Sequence, residues 1–377
     1  MIPLARKTLV HEWRRFLPAV FAVGFSGVLL VVQAALVLGI FGSAAVYVTA
    51  SSADLWAGYP GTQSVNFGRT VRADVEMRLR MDPDVAEVEP YLWVEGDWHA
   101  AERGAGGVSV FVSGIRTAPG SMMFSAVLPD ALRRQLDEPG TVVVDRSDLG
   151  PLGTAEGGQA WVNGRQVRVI AAVRGLRALG GVNVLSSLDT ARTLAGGDLP
   201  AGSTYFVARL RDPALAATVR DRLNAERAFG PFEVWTAPQF AWRSQHYWML
   251  DTGAGVAVLF MAVIVCLVGA VITSQSLMAV VAGSAREYAV LHALGASMAS
   301  LARVVVEQAC WIGGLGLLLA AGVSAALLWL AAAQNVPVAM NPPAALLCAA
   351  LVATLALLSG LIAIRGLLRA DPAVLLR

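Results

Sequence analysis

Residues Ser284 to Glu307 read Ser-Ala-Arg-Glu-Tyr-Ala-Val-Leu-His-Ala-Leu-Gly-Ala-Ser-Met-Ala-Ser-Leu-Ala-Arg-Val-Val-Val-Glu and lie between two long uncharged runs. Arg286, Glu287 and Arg303 are costly to hold in hydrocarbon, so this stretch marks a place where the chain surfaces from a membrane. The spacing predicts a short polar helix with Tyr288, Leu291, His292 and Gly295 on one face, a shape suited to a partner's groove. A solvated connector between two spans has the same charges, and spacing leaves both readings open.

The composition fits that placement. Of 377 residues 56% are hydrophobic and the mean hydropathy is +0.59, the profile of an integral membrane protein. Residues 16–53, 252–285 and 308–364 carry no charged side chain, and a span needs only about 20 apolar residues. The last run breaks at Ala333-Gln-Asn-Val-Pro337 and Asn341-Pro-Pro343, which are turn and helix-stop signals. Four spans follow, near 17–47, 251–281, 305–333 and 343–366. The expected class is an α-helical membrane protein with four transmembrane helices and an α+β extracytoplasmic domain inserted between helices 1 and 2.

Taken in order, the expected segments are 1–16 as a cytoplasmic amphipathic elbow helix, 17–50 as the first span and 51–248 as the ectodomain. A second span at 249–283, a cytoplasmic helix at 284–298, a third span at 299–333, a turn at 334–342, a fourth span at 343–367 and a tail at 368–377 follow. Arg6, Lys7, Arg14 and Arg15 precede the first span, Arg286 and Arg303 flank the 284–298 helix, and Arg365, Arg369 and Arg377 follow the last span, whereas 334–342 is uncharged. The positive-inside rule then puts both termini and the 284–298 helix in the cytoplasm and the ectodomain outside. The first run is too long for a signal-peptide core and reads as an uncleaved anchor.

Trp13 on the elbow, and Trp242, Tyr247 and Trp248 before the second span, are expected at the two membrane interfaces. Gly24, Ser26, Gly27, Gly39 and Gly42 in the first span are small enough for a neighbouring helix to approach closely. Glu307 needs a partner, and Arg303 one turn back is the expected one. Cys266, Cys310 and Cys348 all fall in spans, where a free thiol acts as a small apolar group.

Between residues 54 and 251 basic and acidic residues are nearly balanced, as in a soluble domain. A helix at 69–80 is stopped by Asp82-Pro-Asp84, and another at 213–228 starts behind Asp212-Pro213. Strands are expected at 85–93, 108–115, 141–145, 166–173, 204–210 and 232–236. That order suggests a split βαβ subdomain with a second strand-rich subdomain inserted at about 100–185.

Catalytic readings start poorly. Lys7 is the only lysine, so the chain has no phosphate-binding loop of the Gly-rich Lys-containing kind. His11, His99, His246 and His292 are scattered, and no zinc-hydrolase or serine-hydrolase motif is present. Gly104 to Gly107 reads as a hairpin tip, and Asp145-Arg-Ser-Asp148 and Gly196-Gly-Asp198 offer too few ligands for a metal or catalytic site. No cofactor or metal is expected on this chain, and nothing in its charge points to nucleic acid.

Arg286, Glu287, Leu291, Leu294, Gly295, Ala296, Ser297 and Glu307 together resemble the FtsX-like permease domain of MacB-type ABC transporters. Glu287 to Leu291, Tyr247-Trp248 and Thr252 are similar to its DevC-type branch. The resemblance implies the MacB-type (type VII) ABC fold, with residues 286–288, 291, 292 and 294–296 in a coupling helix resting on a separate ATPase; His292 departs from the family's usual Arg or Lys. It implies a homodimer at an inner membrane with two ABC ATPase subunits that bind the ATP and Mg. It further implies a membrane-fusion adaptor, an outer-membrane TolC-like channel, and export of a lipid-like or amphipathic substrate. An FtsX-like regulator of a cell-wall hydrolase, or a lipoprotein-releasing permease, would share the four spans.

Overall fold

The computed structural model describes residues 13–101, 107–196, 201–225, 230–284, 290 and 297–369. They divide into two compact units, one of residues up to 39 with those from 256 onward, the other of residues 40–255. The first helix, α1, runs Trp13–Ser43 without a break. Residues 13–16, assigned above to an elbow helix, therefore continue directly into the span. Pro18, sixth in the helix, gives up the hydrogen bond to the Arg14 carbonyl, and the helix continues through it. Residues 1–12 lie outside the described residues.

The inserted unit opens with α2 (Val46–Thr49) and β1 (Leu55–Gly58), then β2 (Val71–Arg72), α3 (Asp74–Arg80), β3 (Val85–Ala100) and β4 (Val108–Ile115). There follow α4 (Asp130–Gln135), β5 (Thr141–Asp145), α5 (Leu149–Leu152), β6 (Gln159–Val162), β7 (Arg165–Val173), β8 (Val182–Ser187) and α6 (Leu188–Leu194). The unit ends with β9 (Gly202–Ser203), β10 (Tyr205–Leu210), α7 (Ala216–Ala225), β11 (Glu233–Thr236) and α8 (Ala237–His246).

One half of the unit is a four-stranded antiparallel sheet in the order β11-β1-β10-β3. Because side chains alternate along a strand, each face collects its own core. Leu55, Ala57, Phe206, Ala208 and Val234 meet Val75 and Leu79 of α3 and Val219 and Leu223 of α7. Trp56, Tyr205, Val207 and Trp235 point the other way, into a cluster with Tyr47, Tyr91, Phe124 and Phe240. Trp56 lies edge-on to Tyr91 and Tyr205, with ring centroids 5.8 and 5.7 Å away. The sheet is thus covered on both faces, which is why β1 is buried at every residue.

The other half closes on itself. β3 pairs with β4, β4 with β8, β8 with β5, β5 with β7, β7 with β6, and β6 returns to β3, a six-stranded barrel. Val110, Val112, Val142, Val144, Val167, Val169 and Trp98 fill it, with Leu152, Ala191 and Leu194 from the short helices. Closure removes sheet edges that would otherwise invite aggregation. The two halves are less separate than an insertion at 100–185 implies. β3 runs on for 16 residues, pairing through residues 85–91 with β10 and through 92–100 with β4 and β6. The predicted helix over 69–80 also begins later, because Val71 and Arg72 pair with β9 instead.

The membrane helices are α1, α9 (Gly253–Gly283), α10 (Met298–Ala333) and α11 (Pro342–Arg369), each containing a stretch long and apolar enough to cross a bilayer. The α+β unit is inserted between the first and second of them. In the membrane unit α1 packs through its small residues. Ser26 Oγ donates to the Gly269 carbonyl at 3.0 Å, and a side chain at Gly27 would collide with Ala320, one at Gly39 with the Pro337 backbone. The Ala339 N–H also donates to the Ala35 carbonyl at 3.0 Å, fastening the turn between α10 and α11 to α1.

Candidate functional site

α9 ends at Gly283 and α10 begins at Met298, with Val290 between them also helical. At the exit the Ser284 Oγ donates to the Val280 carbonyl at 3.2 Å, closing the last turn. At the re-entry Ser297 is the N-cap: its hydroxyl accepts from the Ser300 N–H, and the Ser300 hydroxyl donates back to the Ser297 carbonyl at 2.6 Å. Capping of this kind satisfies helix-end donors that have no partner within the helix. Ser297 belonged to the Gly-Ala-Ser turn in the sequence, and its local role is that of a helix start.

Arg286, Glu287, Tyr288, Leu291, His292, Leu294, Gly295 and Ala296 lie outside the described residues. Arg303 and Glu307 sit one turn apart on α10, Arg303 exposed and Glu307 half-buried, and among the described residues no ion pair within 4.0 Å joins them. Two facing side chains on an exposed helix gain little from pairing, which fits their separation.

At the opposite end of α9 the expected interfacial aromatics have distinct surroundings. Trp242 is 64% exposed, its ring 4.7 Å from the His246 ring. Tyr247 and Trp248 are instead gripped by the inserted unit: Phe67 lies 5.2 Å from the Tyr247 ring and 6.1 Å from that of Trp248, whose Nε1 donates to Ser64 Oγ at 3.1 Å. Trp13 is exposed, and the Arg14 guanidinium lies 5.6 Å from its ring.

Between α8 and α9 the backbone changes character twice. Residues Tyr247–Asp251 form one π turn, and Thr252 is extended at φ −103° and ψ 140°. The Thr252 hydroxyl donates to the Trp248 carbonyl at 2.7 Å and accepts from the Gly255 N–H at 3.0 Å. Gly255 is required there, because a Cβ would stand 2.0 Å from the Trp248 carbonyl oxygen. Thr252 followed three residues later by Gly255 is thus a helix start encoded locally in the sequence.

The inserted unit carries buried charge that no local pattern revealed. Glu89 is fully buried, and both of its oxygens accept from the Met122 N–H, at 3.1 and 3.0 Å. Burial pushes its pKa up, against the pull of that hydrogen bond and of Arg116 and Arg133. Asp148 is pushed up to about 6, first by burial and then by Asp145. Asp145 itself is spent on structure: its oxygens accept from the N–H groups of Ser147, Leu176 and Arg177 at 2.8 to 3.1 Å. Asp82 and Asp84, read above as a helix stop, also clasp Arg222 of α7 at 2.6 Å. Among the described residues, no three His, Cys, Asp or Glu side chains gather closely enough to hold a metal.

Residues 259–372 match the family described as FtsX-like permease C-terminal. The matched stretch takes in most of α9, all of α10 and α11 up to Arg369, three of the four membrane-length helices. No curated protein matches the chain at a significant level. Among solved structures it is similar to the periplasmic region of MacB from Actinobacillus actinomycetemcomitans, at 13% identity over 51% of this chain and 92% of that one, with a TM-score of 0.35. It is also similar to the extracellular domain of the ABC-type transporter YknZ from Gram-positive bacteria, at 12% identity over 49% of this chain and 100% of that one, again with a TM-score of 0.35.

Proposed function

We propose that the chain is the permease subunit of an ABC exporter, which couples nucleotide hydrolysis on a separate ATPase to motion of its ectodomain. The observation that supports this is the FtsX-like permease match over 259–372, which lies on the last three of four membrane-length helices, with a folded domain inserted after the first. The stretch assigned to the ATPase contact falls between the end of α9 at Gly283 and the Ser297 cap of α10. In this reading residues 286–296 face the cytoplasm and take the push of the ATPase, the termini lie on the same side, and the ectodomain is periplasmic at a bacterial inner membrane.

Two copies form the working unit. Phe260 and Leu267 of α9 are 64% and 61% exposed, an apolar face that lipid or a second copy must cover. The cargo is lipid-like or amphipathic, delivered through a membrane-fusion adaptor and an outer-membrane channel, as the DevC-type likeness suggests. Replacing Tyr288 and Leu291 by Asp should abolish co-purification with the ATPase, and Gly295→Pro should leave the chain in the membrane while uncoupling hydrolysis from work. Retained ATPase binding in the double variant would return residues 286–296 to the connector reading.

An FtsX-like regulator of a cell-wall hydrolase is the second reading, favoured by the family description itself. Proteoliposomes containing the chain and its ATPase separate the two. Cargo movement driven by ATP supports export, whereas hydrolase activation without cargo movement supports regulation.

A further inference from the structure

The membrane unit contains a half-enclosed cavity of about 250 Å³ between α1, α10 and α11. Gly27 and Val31 line it from α1, Leu317 and Ser324 from α10, and Cys348 and Val352 from α11. The small residues leave the space open; Ala320 approaches Gly27 too closely for a Cβ there. A row of small residues is ordinary helix packing until a polar group is found among them, and Ser324 is one of the lining residues. Ser324 is 2% exposed, and its hydroxyl oxygen is buried without a hydrogen-bond partner.

A buried hydroxyl of this kind is destabilising while it stays unpaired. Water is a poor remedy, since an ordered water needs roughly two to four polar partners and this wall supplies one hydroxyl and one thiol. A helix from a second copy is about 10 Å across and cannot enter a space of this volume. The three helices are membrane-length, so their surroundings are hydrocarbon. A flexible hydrocarbon chain fits both the volume and the lining.

The level of Ser324 says what else the occupant carries. Trp329, five residues further along α10 and 74% exposed, marks the polar boundary of the bilayer, where Trp concentrates. Ser324 lies about 7.5 Å below it along the helix axis. Counting from the charged Arg303 and Glu307, about 20 residues of span likewise bring the chain to the boundary just beyond Ser324. That is within reach of the ester groups that join acyl chains to glycerol.

We propose that this cavity holds one acyl chain of a bilayer phospholipid, with its ester carbonyl accepting a hydrogen bond from Ser324. The bound chain fills the gap between the helices and satisfies the hydroxyl together.

The full chain in nanodiscs of phosphatidylethanolamine and phosphatidylglycerol, doped with phosphatidylethanolamine bearing a diazirine in one acyl chain, provides the test. Photolabel should concentrate on Leu317, Cys348 and Val352 over the exposed α9 residues Phe260 and Leu267. Ala321→Phe and Ala349→Phe, which fill the cavity from different helices, should each remove the excess while helical content is kept. Competition between ester-linked and ether-linked phospholipid should favour the ester by about fivefold, the weight of one hydrogen bond. That preference should vanish in Ser324→Ala, which makes no steric demand. Labelling no denser than on α9, labelling unmoved by either filling variant, or equal competition by ester and ether lipids in the unaltered chain would each overturn the proposal.

Discussion

The inserted unit and the membrane unit are held together by different means. In the first, large rings meet: Trp56 sits against Tyr91, Tyr205 and Phe240, and Trp235 stacks on Phe240 with centroids 4.7 Å apart. In the second, helices meet where side chains are nearly absent, at Gly24, Gly27, Gly39 and Gly316. The contrast follows from the solvent. Water drives large apolar side chains together, whereas lipid does not, so helices in a bilayer gain most from close contact and the occasional hydrogen bond. A large-to-small change should therefore hurt the inserted unit, and a small-to-large change the membrane unit.

The largest expected effect comes from Trp56→Ala. Emptying that site should cost about 3–5 kcal/mol, abolishing the cooperative near-ultraviolet CD melt of the inserted unit while helical signal from the spans persists. An unchanged melt would show that the ring cluster is not what secures this half. In the membrane unit, Gly39→Ala places a methyl 2.1 Å from the Pro337 carbonyl oxygen, a backbone atom that cannot swing aside. Overpacking of this kind costs about 1–3 kcal/mol, and should lower the midpoint of SDS-induced unfolding without moving the melt of the inserted unit. A loss seen equally in both would break the comparison.

A smaller effect depends on pH. Asp148 has a folded-state pKa near 6 against an ordinary 3.8, so its protonated form favours the fold. Stability from this group is full below pH 3.8 and is lost as pH rises towards 6, above which it stays lost. Asp148→Asn should flatten that slope and stabilise the chain at pH 7.5 by roughly 1 kcal/mol, allowing for water near the carboxyl. Thermal melts of the full chain at pH 4.5 and 7.5 would check it, with the burial-raised Glu89 adding a slope of the same sign that remains in the variant. The smallest effect is that of Ser26→Ala, which removes the hydrogen bond to Gly269. A loss of about 0.6 kcal/mol is expected, measured as a small shift in the same SDS midpoint.

What could be read from the chain depended on how far apart the deciding residues lie. The runs without charge at 16–53, 252–285 and 308–364 state their environment residue by residue, and membrane-length helices occupy them. β4 and β5 coincide with the predicted strands, β5 as a wholly buried run, because each has a plain polar or turn boundary. β1 has no alternation to find, since both faces of that sheet are covered. The barrel was hidden because its closure joins Trp98 to Val162, a pairing that neither segment announces. Arg222 likewise needs Asp82, 140 residues away, to show its purpose. The Thr236-to-Gln239 capping box that starts α8 is, by contrast, a local signal legible in the sequence. The Arg-Glu and Gly-Ala-Ser pattern at 286–297 is legible because its residues are close in sequence, and the FtsX-like match over 259–372 spans it; residues 286–289 and 291–296 of it lie outside the described residues.

The single 16-residue strand β3 has a mechanical consequence. A beam shared by two lobes resists bending far better than a loop joining them, because any tilt must rupture ladder hydrogen bonds on both sides together. A load applied to the four-stranded half would therefore arrive at the barrel as rotation of one stiff body, with little of it dissipated on the way.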